Sequence, residues 1–143
     1  MEAALEEARR AGSLGEVPVG AAVARGAEVV ASAHNLTRTL ADPTAHAEIL
    51  VIRRAAEALG AERLTGCDLY VTLEPCAMCA GAIVHARLRR LYYGAPDPKG
   101  GAVAHGARVF AHPQCLHRPE VYGGLGEAPA AELLRAFFAE RRG

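Results

Sequence analysis

A strand-to-helix junction at residues 67–87 constrains the fold of this chain more than any other feature of its sequence. The run CDLYVTLE is rich in β-branched and aromatic residues, which favours a buried strand. The next run, PCAMCAGAIVHAR, opens with Pro75 and continues in small residues, which favours a helix. Strands that alternate with helices in this way indicate an α/β layered domain with a mixed sheet.

Similar patterns outside this junction predict the remaining elements. The segments VPVGAAVAR and EVVASAH, joined at RGAE, predict a β-hairpin, and RLRRLYYGA and PEVYGG predict further strands. Asp42 and Pro43 suit the N-cap and first turn of a helix over AHAEILVIRRAAEAL. Helices are also predicted for residues 2–11 and for the amphipathic segment APAAELLRAFFAERRG. Because no repeat or linker divides the sequence, we expect one domain over residues 1–143.

Composition argues against several classes of protein. The 16 basic and 16 acidic residues give no net charge, so we expect no DNA and no partner held by bulk electrostatics. No window approaches the roughly 18 consecutive apolar residues of a membrane span. The start of the chain also lacks the pattern of a signal peptide. We therefore expect a cytoplasmic protein, away from membranes, whose four Cys stay reduced.

Two short motifs, THAEIL at 44–49 and LEPCAMC at 73–79, bring together candidate metal ligands. Cys76 and Cys79 are three residues apart at a predicted helix start, so their sulfur atoms share one face. The free N–H groups at a helix start lower thiol pKa values and favour the thiolates that zinc binds. His46 also lies at a predicted helix start, which favours a metal site over a redox dithiol, a structural zinc half-site or two small core residues.

Glu48 is the candidate catalytic group beside this site. Three protein ligands leave the fourth tetrahedral position for water, which is typical of catalytic zinc sites. Glu48 lies about 200° around a helix from His46, so it is badly placed to bind the same ion. At the end of the helix it can instead face the water and act as a general acid/base.

His-x-Glu followed by Pro-Cys-x-x-Cys is typical of zinc nucleobase deaminases. Nearly end to end, the chain resembles the bacterial tRNA-specific adenosine deaminases of the cytidine deaminase-like superfamily. The segments that carry the resemblance are EVPVGAAV, HNLTRTLADPTAHAEI, LYVTLEPCAMCAGAIVHARLRRLYYGAPDPKGGA, HPQCLHRPEV and LLRAFFAERR. The resemblance implies a three-layer domain with a five-stranded mixed sheet flanked by helices. It also implies a homodimer, one Zn²⁺ per chain, and conversion of the wobble adenosine in a tRNA anticodon loop to inosine.

The same resemblance implies roles for individual residues. It makes the ligands named above zinc ligands and Glu48 the proton shuttle. Asn35 would hydrogen-bond the purine base, and Ala47 and Leu73 would line the pocket. Asp97 would contact the RNA backbone beside the target. The residues expected near flanking nucleotides are Lys99, Phe137, Phe138, Arg141 and Arg142. Of the two aromatic residues, we expect Phe137 to pack and Phe138 to contact RNA.

The chain departs from the family pattern in one loop. Pro96 stands where the family commonly has Arg, and Ala104-His105 stands where it has Gly-Ser. From these departures we expect a stiffer loop with altered phosphate contacts.

Two other functions compete with RNA editing. A small-molecule deaminase acting on guanine or cytosine would share the HAE and PCxxC motifs, but it would not need Asp97, Lys99 and the FFAERR end. A zinc-stabilised RNA-binding module without activity would be favoured by a missing Glu, and Glu48 is present.

Overall fold

The protein is described by a computed structural model that covers residues 1–142, without the side chain of Arg142. Within this range the five strands are β1 (Gly20–Arg25), β2 (Glu28–His34), β3 (Asp68–Leu73), β4 (Arg90–Ala95) and β5 (Glu120–Gly123). The four α-helices are α1 (Glu2–Ser13), α2 (Ala47–Leu59), α3 (Ala77–Ala86) and α4 (Glu127–Arg142). None of these helices is both long enough and apolar enough to cross a membrane.

The strands form one mixed sheet in the order β2-β1-β3-β4-β5. The β1–β2 hairpin and the β1–β3 pair are antiparallel, whereas β3–β4 and β4–β5 are parallel. An irregularity between Val23 and Ala24 shifts the register of the hairpin. The predicted five-stranded mixed sheet is confirmed.

Helices cover both faces of the sheet and make the three layers. On one face, Val51 of α2 and Ile83 of α3 pack into the main core with Val71 of β3. On the other face, α1 and α4 pack together, with Leu5 and Ala130 in a smaller core. This arrangement places the starts of α2 and α3 side by side.

Gly20 allows α1 to approach the sheet closely. A Cβ atom at this position would overlap the Ala4 carbonyl oxygen and the Ala8 backbone nitrogen. Only a residue without a side chain fits between β1 and α1 here.

The predicted beginnings of α2 and α3 were a few residues too early. Asp42 does not cap α2, because its carboxylate accepts hydrogen bonds from the Thr44 backbone N–H (2.8 Å) and hydroxyl (2.7 Å). These bonds form an Asx turn at residues 42–44, before α2 begins at Ala47. His46 is the N-cap of α2, and Cys76 is the N-cap of α3. The loop over residues 96–119 contains one short 3-10 helix, Val109–Ala111.

Candidate active site

Two helix N-caps meet at one point of the molecule. His46 and Cys76 both have extended backbone conformations, with ψ of 152° and 177°, before their helices begin. The Nδ1 atom of His46 lies 3.6 Å from Sγ of Cys76 and 3.5 Å from Sγ of Cys79. The sequence motifs are 30 residues apart, and the fold brings their polar atoms within 4.8 Å of one another.

These separations fit a tetrahedral zinc ion. Zinc bonds of about 2.0 Å to nitrogen and 2.3 Å to sulfur, at a tetrahedral angle, would place the two ligand atoms about 3.5 Å apart. The donor set of one imidazole and two thiols is also one that zinc prefers. The residues present therefore fit the ion in donor chemistry and in both nitrogen-to-sulfur separations.

The two thiols differ in their tendency to ionise. Hydrogen bonds from Cys79 and His46 lower the pKa of Cys76 to about 4. The interaction with Cys76 and burial both raise the pKa of Cys79, because a second negative charge beside a thiolate is unfavourable. The hydrogen bond with Cys76 raises the pKa of His46, which favours its protonated form beside that thiolate. A divalent cation bound to His46, Cys76 and Cys79 would remove this competition for protons, because it would stabilise both thiolates beside a neutral imidazole.

Glu48 lies in the first turn of α2 with only 4% of its surface exposed. Burial raises the pKa of its carboxyl group to about 7. A group with this pKa can take up and release a proton near neutral pH, which is what general acid/base chemistry needs. Glu48 lines the same cavity as His46 and Cys76 of the cluster.

A cavity of about 330 Å³ opens beside the cluster. The structure brings together there seven of the residues selected from the sequence, namely Asn35, His46, Ala47, Glu48, Leu73, Cys76 and Asp97. Cys79 is fully buried and lies outside the lining. The volume suits a single flat base.

Asn35 is held in place at the wall of this cavity. Its side-chain NH₂ group is 3.5 Å from the carbonyl oxygen of Val17, and its Oδ1 accepts from the Thr37 backbone N–H at 3.4 Å. The side chain is nearly buried, with 7% of the residue exposed. Both contacts are long, so the amide can exchange them for stronger bonds to a ligand.

A second, larger cleft of about 750 Å³ adjoins the first. It is lined by Asp97, Lys99, Phe138 and Arg141, which the resemblance selects, and also by Pro96. Leu73 and Asp97 border both cavities, so the two lie next to each other. The side chain of Arg142 lies outside the part of the chain that the structure describes.

The two phenylalanines of α4 occupy different environments. Phe137 is buried, with the Arg141 guanidinium 3.6 Å above its ring centre. Phe138 is 46% exposed and faces the larger cleft. This division matches the expectation that Phe137 packs and Phe138 is available for contact.

Sequence reasoning missed several residues at the site. Val17, Val19, Thr37 and Gly100 line the smaller cavity and have no chemical signature in the sequence. Glu74 was also missed, although it lies within the quoted LEPCAMC motif. Its significance depends on partners 23 to 31 residues away.

Two features define the class of this protein. One is the strand order of the sheet, and the other is the pair of helix starts that direct an imidazole and two thiols toward one point beside a buried carboxyl group. Together they define a deaminase of the cytidine deaminase-like class. Comparison with known proteins narrows this class. The MafB19-like deaminase family matches residues 1–142. A tRNA-specific adenosine deaminase of Agrobacterium fabrum is 63% identical over 142 residues, which cover 99% of this chain and 93% of that protein. The chain therefore belongs to the family of tRNA-specific adenosine deaminases.

Solved structures agree with this assignment. A structure from a study of A-to-I editing by tRNA:A34 deaminases superposes with a TM-score of 0.92 at 63% identity. The match covers 94% of this chain and 97% of that one. A guanine deaminase from Nitrosomonas europaea shares the fold more distantly, with a TM-score of 0.77 and 26% identity over 95% of this chain and 81% of that one.

Proposed function

We propose that this protein converts adenosine to inosine at the wobble position of tRNA by hydrolytic deamination. The observation that carries the proposal is the small cavity that Glu48 lines together with His46 and Cys76, two members of the cluster that Cys79 completes from beneath the surface. The 63% identity to a tRNA-specific adenosine deaminase over nearly the whole chain supports the choice of substrate. In the proposed reaction adenosine and water give inosine and ammonia.

The proposed cofactor is one Zn²⁺ per chain, held by His46, Cys76 and Cys79. The match between their separations and those of tetrahedral ligands supports this choice. Bound at this position, zinc would lower the pKa of water toward neutrality and so supply a nucleophile. The buried Cys79 would lose its proton on binding, whereas the half-buried Cys76, with a pKa of about 4, is already a thiolate at neutral pH.

The protein's own groups would move the protons and hold the base. Glu48 would take the proton of the attacking water and deliver it to N1 of adenine, and would then carry the proton of the new C6 hydroxyl group to the amino group that leaves as ammonia. Asn35 would hydrogen-bond the purine, and Ala47 and Leu73 would enclose its faces. The near-neutral pKa of Glu48 supports its role as both acceptor and donor.

The larger cleft is proposed to hold the nucleotides that flank the target. Phe138 offers an exposed aromatic face, and Lys99 and Arg141 offer positive charge. Asp97, at the border of the two cavities, would contact the RNA backbone. Because bases of an anticodon loop are already partly unstacked, presenting one of them to the cavity requires little energy.

We further propose one catalytic domain over residues 1–143, a homodimer, and a cytoplasmic location. An apolar groove beside α3 supports the homodimer, because its lining includes Val84, Val109 and the 81% exposed Leu116. Exposed apolar surface of this kind is typical of contact between proteins.

The test is to incubate the zinc-loaded protein with an anticodon stem-loop that carries a wobble adenosine, and in parallel with free guanine and cytosine. We expect inosine at the wobble position only. The same fold in a guanine deaminase makes a free base the second candidate substrate. Ammonia from a free base with unchanged RNA would contradict the proposed substrate and retain the proposed chemistry.

A further inference from the structure

Glu74 is a buried carboxylate that the proposed chemistry does not use. It directly follows β3 and precedes Cys76 by two residues, and its side chain is completely buried. Its carboxylate accepts a hydrogen bond from the Asp97 backbone N–H and lies within hydrogen-bond distance of the His105 ring. A buried charge needs such partners to be tolerated.

All of the side-chain partners of Glu74 in the described part of the chain belong to one loop, residues 97–105. Oε1 accepts from the Asp97 backbone N–H at 3.0 Å and lies 2.8 Å from Nδ1 of His105. Oε2 accepts from the backbone N–H groups of Val103, Ala104 and His105 at 3.2, 3.0 and 3.2 Å. Residues 97–105 thus wrap around a single carboxylate.

The loop is fitted closely to this carboxylate. A Cβ atom at Gly101 would lie 2.5 Å from the carboxylate carbon of Glu74 and 2.5 Å from the Asp97 carbonyl oxygen. The Ala102 backbone N–H also donates to the Pro75 carbonyl oxygen at 2.9 Å. The segment 74–76 therefore fixes the loop and supplies Cys76 to the metal cluster at the same time.

The same loop forms the substrate-facing wall of the site. Asp97 and Gly100 line the smaller cavity, and Asp97 and Lys99 line the larger cleft. Oδ1 of Asp97 accepts from the backbone N–H groups of Lys99 (3.2 Å) and Gly100 (3.0 Å), so its orientation depends on the loop's shape. If the loop moved away from Glu74, Asp97, Lys99 and Gly100 would move with it and would lose their positions relative to the metal cluster.

We propose that Glu74 is a positioning residue that holds the 97–105 loop against the active site, and that His105 strengthens this hold through its ring. The role in RNA binding rests on the proposed function. Glu74 borders the smaller cavity, but its side chain is completely buried and its carboxylate oxygens are bound by the loop. It is not part of the metal cluster, so losing it should weaken the binding of RNA and leave the chemical step intact. His105 lies in one of the family departures noted above, and its ring is turned to Glu74 as a loop anchor.

The chain offers a direct measure of loop opening, because Lys99 is its only Lys. A protease specific for lysine can cut only there, in the exposed part of the loop, to give residues 1–99 and 100–143. For zinc-loaded Glu74→Gln we expect cleavage at least about ten-fold faster than for the wild type, because an amide nitrogen cannot accept the loop's N–H groups. For His105→Ala, which loses one bond, we expect an increase of about three-fold or more.

Glu16→Gln is the matched control, since Glu16 is also fully buried but holds residues 38 and 39 instead. It should destabilise the protein without accelerating cleavage at Lys99. An unchanged cleavage rate in Glu74→Gln, or the same acceleration in Glu16→Gln, overturns the anchoring role. If Glu74→Gln does not retain zinc and helical structure, His105→Ala decides the matter by the same criterion.

Kinetics on the anticodon stem-loop separate positioning from catalysis. In Glu74→Gln we expect KM to rise about ten-fold and kcat to stay within about two-fold of the wild type. A fall in kcat at unchanged KM overturns the proposal. Wild-type protein that does not edit RNA would disprove the proposed function, whereas the cleavage assay would still report on the loop.

Discussion

His46 and Cys76 hold equivalent positions in two different helices, as the N-caps of α2 and α3, with Nδ1 and Sγ 3.6 Å apart. Each residue still has an extended backbone conformation and directly precedes the first helical residue, so its side chain projects at the helix end. The backbone thus sets the spacing of the ligands before any metal binds. This preorganisation leads to separate predictions for the metal, the proton and the fold.

Replacing Cys79 by Ala should remove the metal. The variant retains only two of the three donors, so we expect zinc content well below one per chain and a lower melting temperature. Elemental analysis after dialysis measures the first and thermal unfolding the second. Cys67→Ala is the control, because Cys67 is equally buried in the core but lies outside the cluster. Zinc near one per chain in Cys79→Ala would refute the ligand set.

Replacing Glu48 by Gln should separate metal binding from turnover. The amide keeps the shape of the side chain but cannot carry the proton, so we expect kcat to fall by about 10²–10⁴-fold at normal zinc content. The rate of inosine formation in the stem-loop measures the effect. Glu57→Gln, on the exposed side of the same helix, should retain the wild-type rate. A wild-type rate in Glu48→Gln would rule out the proton-shuttle role.

Gly20→Ala should destabilise the fold strongly. The added methyl group would overlap the backbone of α1 at Ala4 and Ala8, so we expect a loss of about 3 kcal/mol in the free energy of unfolding. Urea unfolding measures this loss. Gly12→Ala is the control, since its Cβ would meet only Pro18 at an ordinary 3.6 Å and Ala favours helix. Equal stability of the two variants would contradict the close approach of α1 to β1.

Glu16 should make the stability of the protein depend on pH. Burial would raise the pKa of Glu16, but hydrogen bonds from the Thr39 hydroxyl and from the Thr39 and Arg38 N–H groups lower it below its ordinary value of 4.5. A depressed pKa in the folded state means that the stabilisation is present above about pH 4.5 and is lost as the pH falls through the folded-state value.

The comparison of wild type with Glu16→Gln tests this expectation. At pH 7 the variant should be less stable by about 2 kcal/mol, and the difference should shrink as the pH is lowered below about 4. Urea unfolding at a series of pH values gives the difference directly. A difference that stays constant down to pH 3 would mean that the carboxylate charge of Glu16 does not contribute.

The sequence was sufficient for the parts of the structure that depend on local patterns. Alternating strands and helices predicted the mixed sheet, and the His-x-Glu and Pro-Cys-x-x-Cys spacings predicted the cluster of His46, Cys76 and Cys79. The start of α2 was misplaced because Asp42 can cap a helix or close an Asx turn, and the local sequence favours both. Contacts with the rest of the fold decide between them.

The role of Glu74 could not be predicted from the sequence for a different reason. Four of its five hydrogen bonds come from backbone N–H groups, which every residue except Pro possesses. No residue pattern in 97–105 therefore reports that a carboxylate lies beneath the loop. Gly101 is the one indirect signal in the sequence. It can be interpreted only with the fold, which shows that Glu74 occupies the space beside this residue without a side chain.

Because Glu74 binds the 97–105 loop mainly through backbone N–H groups, the side chains of the loop that face the larger cleft are free to vary. Lys99 lines the larger cleft and does not bind Glu74, so substitutions there can change which nucleotides are accepted while the catalytic centre stays intact. Substitutions in the 97–105 loop, natural or engineered, can therefore redirect this deaminase to another nucleic acid one residue at a time. Glu74 and Gly101 should remain unchanged, because the position of the loop depends on both.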